Sequence, residues 1–321
     1  MFKSAALLFF HAETSVHAGS GQSFGGIDLA IQRERHTEFP MIAASGVKGA
    51  SRDWFSRKYP AQGDGDDIRP HQKVAAVFGP DTRNASAHAG AVSFTDARTL
   101  LFPVRSFRGV YAWTTCSSAL ARLRRDVSLL EEAPQPGILE IASPPAGTAY
   151  GSATQCDVSD EGGVLLEEYA FSFQPREEID VLATWLRENA FPGKPTGDAP
   201  DAYQPFRDRL ASHLLVLHDD DFADFVRYAT EIQARVALNE KKTTTGDGGN
   251  LFYQENLPAD TVLYAATLAS RDLSGKLNGN GSADHMLGII RQLDGQRIQL
   301  GGDETVGKGI CCTRYLGPSS P

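Results

Sequence analysis

Gly301-Gly302-Asp303-Glu304-Thr305-Val306-Gly307-Lys308-Gly309-Ile310-Cys311-Cys312-Thr313 can be read in two ways, and the two lead to different folds. From Gly302 it satisfies G-x-x-x-x-G-K, the opening of a phosphate-binding loop. Position eight of that motif needs a Ser or Thr hydroxyl for magnesium, and here it is Gly309. A helix must also follow, because its free N–H groups bind the phosphate. Ile310-Cys311-Cys312-Thr313 favours a strand instead. A nucleoside triphosphatase is therefore excluded. What remains is a glycine-rich loop between two strands. It is either a tight hairpin or a place where backbone N–H groups at Gly302 and Gly307, helped by Lys308, approach a phosphate.

Working outward, strands and helices alternate without a βαβα rhythm, which predicts an α+β fold. Residues 2–16 read as a buried strand, 17–26 as a glycine-rich loop and 45–58 as a helix with Ser45 as its N-cap. Strands are expected at 91–104, 110–116, 164–173, 213–218, 261–270, 297–300 and 310–316. Helices are expected from Ser117 or Ser118 to Leu130, at 177–189, near 203–212, from about Asp221 and at 282–293. Segments 59–90 and 133–163 read as irregular insertions. Residues 232–238 and 251–253 flank a polar stretch ending Gly246-Asp247-Gly248-Gly249, the pattern of a protruding hairpin over about 239–256. No long linker divides the 321 residues, so one elaborated domain spanning 1–321 is expected.

Composition narrows the function classes. No apolar run approaches the length of a membrane span, and His11 and Glu13 break the short run at residues 5–10, so a cytoplasmic protein is expected. The four cysteines, at 116, 156, 311 and 312, suit neither zinc nor a disulfide framework. The net charge of −9 argues against a free nucleic-acid binder with an all-round basic surface. Residues 31–58 nevertheless carry six basic and three acidic side chains, a local excess of three positive charges.

Three further features bear on chemistry. Asp28, between Ile27 and Leu29 after the flexible loop, offers a carboxylate that can hold a hydrated divalent cation, take a proton or simply cap a turn. Lys48 and Arg52 are four apart on the helix opened by Ser45, so they share a face. That face either tracks an RNA backbone or is merely solvated. His17 sits in the loop, exposed or facing RNA. Phe252 and Tyr253 offer rings for base stacking, although burial at the base of the hairpin is the role their surroundings favour.

Blocks spread along the chain resemble one family. They are His17-Ala18-Gly19-Ser20-Gly21, Gly26-Ile27-Asp28-Leu29-Ala30-Ile31-Gln32-Arg33-Glu34-Arg35-His36-Thr37, Ser45-Gly46-Val47-Lys48-Gly49 with Arg52, Val77-Phe78-Gly79, Ser93-Phe94-Thr95-Asp96-Ala97-Arg98, Leu251-Phe252-Tyr253-Gln254-Glu255-Asn256-Leu257-Pro258, and the 301–309 loop. Together they resemble the RAMP proteins, and within them the Cmr backbone subunit of type III-B CRISPR effector complexes. One departure is Ala43-Ala44-Ser45-Gly46, where the family usually has Pro-Gly-Ser, so the turn into the helix differs.

The resemblance implies a modified ferredoxin-like palm, the RNA-recognition-motif topology, with a β-hairpin thumb. It implies several copies along a guide CRISPR RNA, other Cmr subunits as partners, and cutting of complementary single-stranded target RNA at regular intervals. Asp28 would be the catalytic residue, acting with magnesium or manganese. His17, Ser45, Lys48, Arg52, Gly302, Gly307 and Lys308 would face RNA, with Phe252 and Tyr253 on the thumb. The alternatives are a scaffold that binds RNA without cutting it, and a guide-processing nuclease of the same superfamily.

Overall fold

The computed structural model describes residues 2–318 apart from 24, 64–68, 133, 195–198, 237–250 and 278–280. In chain order the strands are β1 (Ser4–Ala12), β2 (Met41–Ile42), β3 (Val92–Phe94), β4 (Ala97–Arg105), β5 (Tyr111–Cys116), β6 (Thr148–Ser152), β7 (Ser159–Asp160), β8 (Gly163–Leu166), β9 (Tyr169–Arg176), β10 (Leu214–Leu217), β11 (Glu231–Val236), β12 (Leu251–Asn256), β13 (Val262–Ala269), β14 (Arg297–Gln299) and β15 (Ile310–Leu316). The helices are α1 (Ala44–Lys58), α2 (Gln72–Phe78), α3 (Ser117–Val127), α4 (Glu177–Asn189), α5 (Gln204–His213), α6 (Asp219–Tyr228) and α7 (Ala283–Ile290).

Thirteen strands form one mixed sheet in the order β14-β15-β1-β13-β4-β5-β10-β6-β9-β8-β7, with β2 on β4 and β3 on β13. The pairs β5–β10 and β6–β9 are parallel and the others antiparallel. All nine residues of β1 are buried. The reason is its period-two pattern combined with helices on both faces. Leu8 and Phe10 point into a core with Val47, Phe55 and Met286, from α1 and α7. Leu7 and Phe9 point into a second core with Trp113 and Leu186, from β5 and α4. The expected α+β class is borne out.

Helix α4 has the expected bounds, with Glu177, Glu178 and Asp180 in its first turn where the helix dipole favours them. Several expectations need correction. Segment 59–90 contains α2, whose Val74, Ala75, Ala76, Val77 and Phe78 are all buried. Segment 133–163 contains β6, fully buried between β10 and β9. The strand expected at 164–173 is a hairpin, β8 to β9, which turns where Glu167 has φ 48°. Helix α1 is capped from elsewhere in the chain. Ala43 is its N-cap residue, Ser45 is exposed in the first turn, and the Ala44 N–H donates to Asp96 Oδ1 at 2.8 Å.

All four cysteines are free, and burial pushes the thiols of Cys116 and Cys311 well above the ordinary range. They act as core side chains rather than nucleophiles. No helix among the described residues is long and apolar enough to cross a membrane.

Candidate active site

The ribbon of β11 and β12 stands apart from the main sheet. It is the stem of the expected hairpin; the tip, 237–250, lies outside the described residues. One edge of β12 pairs with β11. On a strand, alternate residues send their N–H and C=O groups to the same edge, so Tyr253 and Glu255 serve the other edge.

That edge collects the predicted residues. Tyr253 O accepts from the Asp28 and Leu29 N–H groups at 3.1 and 3.0 Å, and the Tyr253 N–H donates to Asp28 Oδ2 at 2.8 Å. The Glu255 N–H donates to Leu29 O, and Glu255 O accepts from His17 Nδ1 at 2.7 Å. Asp28 is thus held by backbone on both sides, while it stays exposed, with one carboxylate oxygen unbonded among the described residues.

The glycine-rich loop closes over the same region. It joins β14 to β15 with no helix after it, which agrees with the rejection of a triphosphatase. The Gly302 N–H donates to His17 O at 2.8 Å. Gly301 has φ 86°, and a Cβ there would lie 2.4 Å from His17 O, so only glycine permits the approach. Gly309 is equally constrained, since a Cβ would lie 2.0 Å from Leu300 O. Gly307 is open, with nothing within 4 Å of a Cβ position. Lys308 Nζ donates to Ser15 Oγ at 2.9 Å, which tethers it at the loop's root.

Several residues that build the site were not singled out from the sequence. Asp303, in the left-handed region at φ 61°, accepts at Oδ2 from Gln254 Nε2 at 2.6 Å and from Arg235 Nη1 at 2.8 Å. It clamps the loop to the ribbon. Glu255 turns its buried carboxylate inward to Arg33 Nη2 at 2.5 Å, Thr230 Oγ1 at 2.9 Å and the Ile31 N–H at 3.1 Å. Gln32 reaches from Gly19 O to the Ala43 N–H, joining the loop to the start of α1. The only sequence signal for Asp303, Gln254, Glu255, Arg33 and Gln32 was their place in the quoted blocks, and Arg235 and Thr230 lay outside those blocks.

The hydrogen bond from Gln254, with the Arg235 charge, holds the Asp303 carboxyl below the ordinary aspartate range against its partial burial. A folded-state pKa below the unfolded value of about 3.9 gives stability that is present above that value and lost as pH falls through the folded one. The gap in thermal stability between wild type and Asp303→Asn should therefore shrink as pH is taken from 6 to 3. A gap independent of pH would show that the clamp does not depend on this charge.

On α1, Lys48 is half-buried with no carboxylate partner among the described residues, and burial together with the nearby Arg52 charge lowers its pKa. Arg52 donates through Nη2 to Pro80 O at 2.9 Å, so part of its guanidinium is committed within the protein. Of the thumb rings, Phe252 is half-buried with the Arg235 guanidinium 5.9 Å from its centroid, whereas Tyr253 is 41% exposed. The expected burial therefore fails for Tyr253.

Among the described residues, no three His, Cys, Asp or Glu side chains converge as metal ligands. The free Asp28 oxygen is a single ligand. Such a donor suits magnesium, which binds through one or two carboxylates with waters and substrate phosphates completing the shell.

The RAMP superfamily pattern matches residues 9–312. Over 309 residues, 95% of this chain and 94% of the relative, the chain is 33% identical to the CRISPR system Cmr endoribonuclease Cmr4 of Pyrococcus furiosus. The chain belongs to the Cmr4 family of the RAMP superfamily. The resemblance read from the quoted blocks is borne out. A crystal structure of oligomeric Cmr4 from Pyrococcus furiosus superposes with a TM-score of 0.69 at 27% identity, covering 98% of this chain and 99% of that one. A chain of a type III-B Cmr-beta complex bound to cognate target RNA gives 0.71 at 21% identity, covering 98% of both. At that identity the second match speaks for the fold alone.

Proposed function

We propose that this chain is the multi-copy backbone subunit of a type III-B CRISPR effector, binding guide RNA and cutting complementary target RNA at regular intervals. The observation that carries the reading is Asp28, an exposed carboxylate pinned to the thumb strand by the Tyr253 N–H beside the glycine-rich loop. The Cmr4 relative is named an endoribonuclease, and a related crystal structure is described as oligomeric. Guide RNA, target RNA, further copies and other Cmr subunits are the partners, in the cytoplasm. The order β15-β1-β13-β4, with α1 and α7 between sheet strands, supports a ferredoxin-like palm in one elaborated domain.

Chemically, a kinked target strand can bring a 2′-OH in line with the adjacent phosphate, and most of the protein's contribution is then positioning and charge stabilisation. Asp28 accepts the 2′-OH proton or holds the metal. A magnesium or manganese ion at its free oxygen would supply charge neutralisation at the phosphate. Guide contacts are to phosphates, through Lys48, Lys308, the backbone at Gly302 and Gly307, Ser45 and the uncommitted part of Arg52. Lys48 suits this role physically: burial without a partner disfavours its charge, and an arriving phosphate offsets that cost. Lys48→Ala should weaken guide binding uniformly across sequences and reduce the salt slope of log K by about 1. An unchanged slope in a salt titration would remove Lys48 from the phosphate contacts.

The second reading is an RNA-binding scaffold without nuclease activity, in which the Asp28 carboxylate serves only to hold the loop on the ribbon through the Tyr253 N–H. The two separate in a complex reconstituted with guide RNA and given labelled target in magnesium or EDTA. Evenly spaced cuts that stop in EDTA support the nuclease. No cutting by an intact wild-type complex leaves the scaffold.

A further inference from the structure

The cut needs two proton transfers, one from the 2′-OH and one to the departing 5′ oxygen. The Asp28 carboxylate can only accept, and one of its oxygens is already occupied by the Tyr253 N–H. The second transfer needs a donor.

His17 has the required arrangement. Its Nδ1 faces a carbonyl oxygen, Glu255 O, at 2.7 Å, and a carbonyl can only accept, so Nδ1 carries a hydrogen in either charge state. Nε2 is then the atom that gains and loses a proton, and it has no hydrogen-bond partner among the described residues. Gly19 keeps it clear, since a Cβ there would lie 3.0 Å from Nε2. The ring cannot drift, because the His17 backbone is held by the Gly302 N–H and its Nδ1 by β12. The Asp303 carboxylate gives the imidazolium a negative neighbour.

Asp28 and His17 are also placed as a pair. Their anchors, Tyr253 and Glu255, are two residues apart on one edge of one strand, a separation of about 7 Å. That leaves room for a phosphodiester between a base on one side and an acid on the other.

We propose that His17 is the general acid of target cleavage. The 2′-OH proton passes to Asp28 or solvent, the O2′–P bond forms and the P–O5′ bond breaks. The leaving O5′ takes the Nε2 proton. The products are a 2′,3′-cyclic phosphate and a 5′-OH, and neutral His17 is reprotonated from water. This inference rests on the nuclease reading, and its test keeps the two apart.

The test uses the reconstituted complex with guide RNA, in magnesium, and two saturating targets: ordinary RNA, and RNA carrying a 5′-bridging sulfur at one cut. A thiolate leaves without needing a proton. His17→Ala should slow the ordinary cut by about 100-fold or more, yet cut the sulfur-bridged target within about threefold of wild type. His17→Gln, which keeps a donor for Glu255 O, should behave the same way and guards against misassembly. Equal slowing of both targets by both variants overturns the proposal and leaves His17 as a binding residue. Ordinary cutting that survives Asp28→Asn would instead sink the nuclease reading at Asp28.

Discussion

Asp28→Asn, assembled into a guide-loaded complex, should cut target RNA about 10²–10⁴-fold more slowly than wild type, the usual range for losing a positioned proton acceptor. The substitution is informative because it is nearly isosteric. An Asn side-chain oxygen can still accept from the Tyr253 N–H, and the Asp28 and Leu29 backbone bonds to Tyr253 O are untouched. Guide affinity and the number of copies in the complex should therefore stay within about twofold. The charge is all that is removed, and with it both the proton acceptor and the metal ligand. Single-turnover cleavage of labelled target, beside a guide-binding titration, reads both quantities. Unchanged cutting would dismiss Asp28 as the catalyst, and lost cutting with lost guide binding would make it structural.

Glu255→Ala should destabilise the chain by about 3–5 kcal/mol, the range for breaking a buried ion pair from one side. The Glu255 side chain is 2% exposed and that of Arg33 13%. Arg33 also donates to Glu38 O at 2.8 Å and Val226 O at 2.9 Å, so it is held in place when its carboxylate is removed. An unpaired guanidinium then stays largely out of water. The loss should appear as a lower urea midpoint with an unchanged m value. The double variant Arg33→Met with Glu255→Leu should recover much of it, because an apolar pair of similar volume often replaces a buried ion pair at little cost. If Glu255→Ala alone costs under about 1 kcal/mol, the pair is not the link between β12 and residues 31–33.

The parts of this molecule that were legible in the sequence are those governed by neighbours in the chain. Helix α4 carries its acidic first turn and its apolar spacing within thirteen residues. The glycine-rich loop announced its two flanking strands, and Asp28 was marked by its flanking block. What was not legible depends on distant partners. Ser45 looked like a helix cap, but Asp96, 52 residues away in the chain and next to the strand paired with β2, supplies the bond to α1. Helix α2 was hidden among Gly, Pro and Asp residues, and only its burial on the near core explains Val74 to Phe78. Strand β6, Thr148-Ala149-Tyr150-Gly151-Ser152, has neither an apolar run nor alternation, and it is a strand because β10 and β9 pair with it. Within the site, Asp303, Gln254 and Arg235 gain meaning only once the ribbon and the loop meet.

The long-range pairing at the centre of the sheet has a consequence for synthesis. His17 leaves the ribosome 238 residues before the carbonyl that orients it, and Ser15 leaves 293 residues before Lys308. At about 5–20 residues per second, His17 waits roughly 10–50 s for Glu255. During that interval β1, with nine consecutive buried positions, has neither β13 nor β15 beside it. A nascent chain is therefore an aggregation hazard that needs sheltering.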